Sequence, residues 1–300
     1  MSMQTPAPVS PRRAFLATLA IAFASLCFGL VPGFARELQA MGVPDAAIAF
    51  YRYAFSAAVV IPFLPRARAK RRQAATMFGA GVLMGLGWTG YLQLVGTASI
   101  AAAGVIYMSY PVFTIVFAWL LLGLRPGARA WAASAAVLGA ALVLTGGGAA
   151  SVTLDAVLLA LPAPVTFGLV IVVISACLPD LLPLERMAAG MTGALAGLAP
   201  VILLTEPAAF VPQSGAVWLT VLGLGIATAL LPQLIYTLAA PHVGPARSAA
   251  AGAVELPVMV AVGWLAFGEA LGPREALAAV LVLGAVAVAP AIDTRRLRRG

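Results

Sequence analysis

The residue in this chain best placed to do chemistry is Glu255. It stands inside a long apolar run, two residues before Pro257, in the stretch GAVELPVMVAVGWLAFGEALG at 252–272. A carboxylate at the depth of a bilayer costs about 2.5–3.5 kcal/mol, so it is expected to face a cavity or a partner. There it can hold a substrate amine or carry a proton, or it can serve structurally by hydrogen-bonding nearby Ser, Gln or Tyr or the backbone freed by Pro257. Arg52, set between Tyr51 and Tyr53, has the matching logic for a carboxylate, or anchors its helix by snorkelling. Arg247, two turns before Glu255, joins Arg52 as a gating or carboxylate-contacting residue, and His242 is placed in a loop. The substrate-binding set is completed by Trp88, Tyr91, Tyr107, Ser109, Tyr110, Gln233 and Tyr236, with Gln93 and Trp264 as further cavity-lining residues. Tyr107 and Tyr110 are three apart on one helical face, although interfacial belts also enrich Trp and Tyr.

Catalytic and metal constellations do not emerge from the sequence. It contains no GxxxxGK[ST], and Lys70 is its single lysine, so ATP hydrolysis is not expected. One histidine and two separated cysteines, Cys27 and Cys177, make no metal site and no inferable disulfide. No paired carboxylates stand in any span, so no catalytic residue, metal or cofactor is expected, and the chain is not read as an enzyme.

The elements that must position these residues follow from composition. Of 300 residues 62% are hydrophobic and 9% charged, against roughly 25% charged in a soluble domain. Apolar runs long enough to cross a bilayer recur along the chain. They predict spans at 14–34, 47–65, 74–96, 101–122, 130–146, 156–178, 186–204, 215–239, 246–267 and 274–291. The fold class is therefore all-α integral membrane, and any chemistry must occur within or between spans. Ser10-Pro11-Arg12-Arg13 resembles a twin-arginine export signal, but the spans that follow make Arg12 and Arg13 the flank of span 1. Ten spans with an inside N-terminus put fifteen of the eighteen basic residues on the cytoplasmic side, including the cluster RARAKRRQ at 66–73. That bias accounts for the net charge of +8 without a nucleic-acid partner. Both termini are expected in the cytoplasm.

The spans also repeat. Trp119, Gly123, Gly127 and Gly139 recur 145 residues later as Trp264, Gly268, Gly272 and Gly284, while Pro111 and Pro257 are 146 apart. At the proline offset, Ser109 stands where the second half has Glu255. Five spans per half force opposite insertion, giving two inverted five-helix repeats around a central cavity, the architecture of alternating-access transport. The glycine pairs Gly29/Gly33, Gly81/Gly85 and Gly193/Gly197 are expected to permit close helix packing.

The stretch GWLAFGEALGPREALAAVLVLGAVAV resembles the end of the repeat in EamA-type members of the drug/metabolite transporter superfamily. The Tyr51-Arg52-Tyr53 start of span 2 fits as well, whereas Gly123-Leu124 departs from the family's Gly-Glu. The resemblance covers about 14–292 and divides into repeats at 14–148 and 152–292, with cytoplasmic tails at 1–13 and 293–300. It implies a ten-helix bundle in the bacterial inner membrane. Closest are amino-acid exporters, so the expected substrate is an aromatic or apolar amino acid. The driving force is its own gradient or proton exchange through Glu255. The alternatives are export of a nucleobase, sugar or drug-like solute, or an intramembrane lipid-modifying enzyme or scaffold. A monomer is sufficient for transport in this scheme.

Overall fold

The computed structural model describes residues 10–145 and 152–288, and these are helical throughout their spans with no strand among them. The expected turn at Gly146-Gly147-Gly148, the C-terminal tail and the last residues of span 10 lie outside the described residues. Fifteen α-helices form the bundle. In the first half they are α1 (Pro11–Phe28), α2 (Val31–Ala40), α3 (Asp45–Val60), α4 (Arg71–Thr97), α5 (Ile100–Tyr107), α6 (Tyr110–Leu122) and α7 (Ala128–Thr145). The second half has α8 (Leu154–Ala160), α9 (Pro162–Val172), α10 (Pro183–Leu203), α11 (Gly215–Gly225), α12 (Leu231–Val243), α13 (Pro245–Gly252), α14 (Glu255–Phe267) and α15 (Pro273–Val288). π-helical turns at Val173–Cys177 and Ile226–Leu230 extend α9 and join α11 to α12. Eight continuous helical segments are long and apolar enough to span a membrane. The shorter α7 and α15 complete ten spans.

Fifteen helices make ten spans because five spans are broken, and proline is at each of the breaks. Proline lacks the N–H that would bond the carbonyl four residues earlier, and its ring crowds that turn. Pro32, Pro111, Pro162, Pro232 and Pro257 thus deprive Phe28, Tyr107, Leu158, Thr228 and Ala253 of their usual donors, next to the α1/α2, α5/α6, α8/α9, α11/α12 and α13/α14 breaks. The sequence pattern placed ten spans correctly but not these interruptions. Span 1 also continues through α2, so Arg36 and Glu37, expected in a loop, are helical. Arg12 and Arg13 lie in the first turn of α1, and His242 in the last turn of α12.

The two halves are related element by element. α6 and α14 begin at Tyr110 and Glu255 and end at Gly123 and Gly268, both left-handed with φ of 68° and 63°. All of these positions are 145 residues apart, which makes Tyr110, and not Ser109, the counterpart of Glu255. Pro111 and Pro257 are the residues out of register, one at the second helical position and one at the third.

Packing repeats the same relation. α4 crosses α9 as α12 crosses α1, α6 lies on α9 as α14 lies on α1, and α7 packs on its own counterpart α15. The tightest contact is between α4 and α10. A Cβ on Gly81 or Gly85 would run into the backbone of Gly190 or Ala194, and one on Gly193 or Gly197 into Phe78 or Val82. Lipid offers no hydrophobic force for bringing helices together, so backbone approach through small residues supplies the dispersion contact.

Candidate functional site

The span breaks deliver their end residues to one place. Phe28 ends α1, Tyr107 ends α5, Tyr110 begins α6, and Glu255 begins α14. Phe167 follows the break before α9, and Arg52 and Tyr53 project from α3. Tyr107 and Tyr110 face each other across the α5/α6 break, with ring centroids 5.7 Å apart. Tyr107 stacks on Phe167 at 5.7 Å, while Phe167 meets Tyr110 edge-on at 4.9 Å. Trp88 and Tyr91 from α4 extend the cluster, with Trp88 to Tyr91 at 5.2 Å and Tyr91 to Tyr107 at 5.0 Å. Phe28 and Tyr236 close the other side at 6.2 Å. Six spans thus contribute one contiguous aromatic wall.

The charged members sit within that wall. Arg52 is buried, its guanidinium 4.0 Å from the centroid of the Trp88 ring. Nη1 donates to the Tyr53 hydroxyl at 3.1 Å and Nη2 to the Thr228 carbonyl at 3.2 Å. That carbonyl belongs to the π-helical turn at Ile226–Leu230, a geometry that recurs at functional sites. Glu255 is 1% exposed. The Tyr110 hydroxyl is its hydrogen-bond partner, and Arg52 is the cation whose charge acts on it. The Tyr110 hydroxyl lies directly over Gly252, where a Cβ would occupy its place.

Several buried polar atoms here have no hydrogen-bond partner among the described residues: Glu255 Oε2, Arg52 Nε, the Tyr91 hydroxyl and the Ser109, Ser56 and Thr237 oxygens. Leaving such groups unpaired costs about 1–3 kcal/mol each, so their concentration marks a place built for a polar ligand or water. Phe28, Arg52, Tyr53, Met84, Trp88, Tyr107, Phe167, Met191, Ala229 and Gln233 line a small cavity at Arg52. It leaves only about 10 Å³ to the centre of a water molecule, room for roughly one. A solute site holds about 300–1,000 Å³, so the chain is seen closed around its centre.

Two ion pairs join the halves, one at each end of α4. Lys70, just before α4, holds Glu185 of α10 with N–O distances of 2.8 and 2.7 Å. At the far end Arg36 pairs with Glu269 and donates to the Val95 and Ala98 carbonyls where α4 finishes. Glu269 also accepts the Ile100 N–H at 2.8 Å, capping α5. The 27 residues of α4 separate the two pairs by about 40 Å.

The expected site residues divide clearly. Trp88, Tyr91, Tyr107, Ser109, Tyr110, Gln233, Tyr236, Glu255 and Arg52 are all buried. Arg247 and His242 are exposed, and Gln93 and Trp264 point outward, Trp264 at 65%. Those four side chains do not join the cluster, because their helices present them on the face away from the centre. Arg186, expected as a loop cation, is buried and donates to the Leu181, Ile174 and Leu178 carbonyls, tying the α9–α10 turn. Sequence reasoning missed Phe28, Tyr53, Phe167 and Gly252. The signal for Phe28 and Phe167 was available, since each lies within five residues of a proline that breaks its span.

Comparison with known proteins agrees with this architecture. The model of the EamA-like transporter family matches residues 15–146 and 154–289. A protein of Rhizobium johnstonii named "Riboflavin transporter" is 29% identical over 301 residues, covering 99% of this chain and 98% of its own. A solved crystal structure superposes with a TM-score of 0.65 at 22% identity, covering 91% of this chain and 95% of that one, which supports the fold alone.

Proposed function

The chain belongs to the EamA-like transporter family, and on that footing we propose that it is a secondary transporter of a planar aromatic metabolite held between its two halves. The observation that carries this reading is the closed aromatic wall edged with unpartnered polar atoms. Flat π-systems stack on such rings, and their heteroatoms satisfy hydroxyls that otherwise stay unpaired. The full-length relative is named for riboflavin, a solute of that chemistry. A flavin-type ring is therefore the first substrate to test.

Aromatic amino-acid export is the second reading. Arg52 is a buried cation suited to the carboxylate of a zwitterion, and Glu255, when ionised, is suited to its ammonium. Proton exchange through Glu255, or the solute gradient alone, drives transport in either reading.

In the proposed cycle the halves rock about the glycine-lined α4–α10 contact. Release of Lys70–Glu185 opens the site to one side, and release of Arg36–Glu269 opens it to the other. The charge bias favours a cytoplasmic Lys70 side and cytoplasmic termini; the proposal takes the membrane as a bacterial inner membrane, the repeats as 14–148 and 152–292, and the monomer as the transporting unit. The coarse activity, transport of a small molecule across a lipid bilayer, accords with family and fold.

The test is counterflow into liposomes carrying the purified protein, with labelled riboflavin and labelled phenylalanine, tyrosine and tryptophan in parallel. Saturable riboflavin exchange supports the first reading, and exchange of an aromatic amino acid alone supports the second. Absence of flux for all four rejects both.

A further inference from the structure

Away from the central site, a groove of about 710 Å³ lies at the Lys70 end of the bundle. Its walls are Pro62, Phe63 and Leu64 after α3, Leu182, Pro183 and Leu184 at the start of α10, and Leu234 and Leu238 of α12. Arg66 and Glu185, the latter neutralised by Lys70, are its two charged lining residues. The walls are otherwise apolar, and Phe63 and Leu238 are 46% and 48% exposed, so the groove opens sideways toward lipid.

The charge around this mouth is unbalanced. Arg66, Arg68, Arg71 and Arg72 are all exposed, and none has an ion-pair partner among the described residues. Among the described residues, the acids nearest this mouth are already engaged. Glu185 accepts from Lys70 and from the Leu182 N–H at 2.7 Å, and Asp180 accepts from Gln73 at 2.6 Å. An apolar trough ending in uncompensated arginines at membrane-boundary depth matches an amphiphile with a negative headgroup.

We propose that this groove is a binding site for an anionic phospholipid, its acyl chain along Phe63, Leu184, Leu234 and Leu238 and its phosphate at Arg66. The site is separate from the transport centre and adjoins the Lys70–Glu185 pair. A bound lipid therefore sits where α10 must move if that end opens.

Native mass spectrometry of the full chain in mild detergent tests the proposal, with phosphatidylglycerol and phosphatidylcholine of identical acyl chains as probes. Phosphatidylglycerol is expected to bind more tightly. Arg66→Gln is expected to weaken it about fivefold, the effect of one arginine near a charged headgroup, and to leave phosphatidylcholine unchanged. Leu238→Trp fills the trough and is expected to weaken both lipids. Both positions are exposed, and unchanged melting temperatures without added lipid confirm intact variants; Arg68→Gln gives a second reading of the charge. Equal affinity for the two lipids, or full phosphatidylglycerol binding by Arg66→Gln and Arg68→Gln alike, overturns the proposal. So does displacement of phosphatidylglycerol by soluble glycerophosphoglycerol at matched ionic strength and equal concentration, since the acyl chain would then contribute nothing.

Discussion

Tyr110 and Glu255 are equivalent positions of the two repeats, each the first residue of the helix after a broken span, and they meet as hydrogen-bond partners at the centre. The pseudo-twofold axis thus passes between an acid and a phenol. The repeat symmetry is therefore broken at its centre, where one half presents a carboxyl group and the other a hydroxyl donor.

Glu255→Gln keeps the size of the side chain and removes its charge and its titration. It is expected to abolish any pH dependence of counterflow and to lower solute affinity about tenfold, the scale of one buried charge-assisted bond. A Gln variant with the parental pH profile removes Glu255 from the coupling step.

Gly252→Ala tests the same contact from the other side. The added Cβ displaces the Tyr110 hydroxyl, so the variant should reproduce Tyr110→Phe in solute affinity. A Gly252→Ala protein with unchanged affinity, in a series where Tyr110→Phe is impaired, shows that the phenol can shift without loss.

Trp88 gives the arginine its π-face and the cluster its largest ring. Trp88→Ala is expected to weaken aromatic-solute binding at least tenfold, and Trp88→Phe to restore most of it. Arg52→Lys should behave nearer the Ala variant, because an ammonium lacks the planar face that stacks on the indole. Fluorescence titration with riboflavin and counterflow KM report both effects.

Arg36 and Glu269 are each about one-fifth exposed, so their coupling is modest, about 1 kcal/mol or less. Its consequence is directional. Glu269→Gln should raise the labelling rate of a cysteine placed at Ser99 from the Arg36 side, and leave one placed at Leu184, which keeps the Lys70–Glu185 pair intact, unaffected from the other. Equal change at both ends contradicts a gate at one of them.

Gly85→Leu is expected to cost about 1–3 kcal/mol, since its side chain meets the Ala194 backbone, which cannot yield as a flexible side chain does. The melting temperature in detergent should fall, whereas Gly139→Ala, with nothing near its Cβ, should leave it unchanged.

The class, the ten spans and the two repeats were legible in the chain because they rest on one-dimensional quantities. Run length against bilayer thickness decides a span, and residue offsets decide a repeat. Glu255 was legible for a similar reason: an acid in an apolar run is costly wherever the helix faces.

Facing and breaking were not legible. Trp264 and Trp88 are the same residue type in apolar spans, yet one looks out at lipid and the other stacks under Arg52, because helix rotation is set by neighbours. Arg247 lies two turns from Glu255 in sequence but points away from the centre, since the α13/α14 break lets the two helices present different faces. The prolines declared that spans 1, 4, 6, 8 and 9 were weakened. Only packing decided that the broken ends converge, bringing Phe28, Tyr107, Tyr110, Phe167 and Glu255 from five helices into one wall. The sequence by itself determined that this chain spans a membrane as a doubled unit carrying a buried acid. Tertiary structure decided what that acid faces, because lipid exposure and cavity lining are properties of a helix's neighbours, and those come from residues far away in the chain.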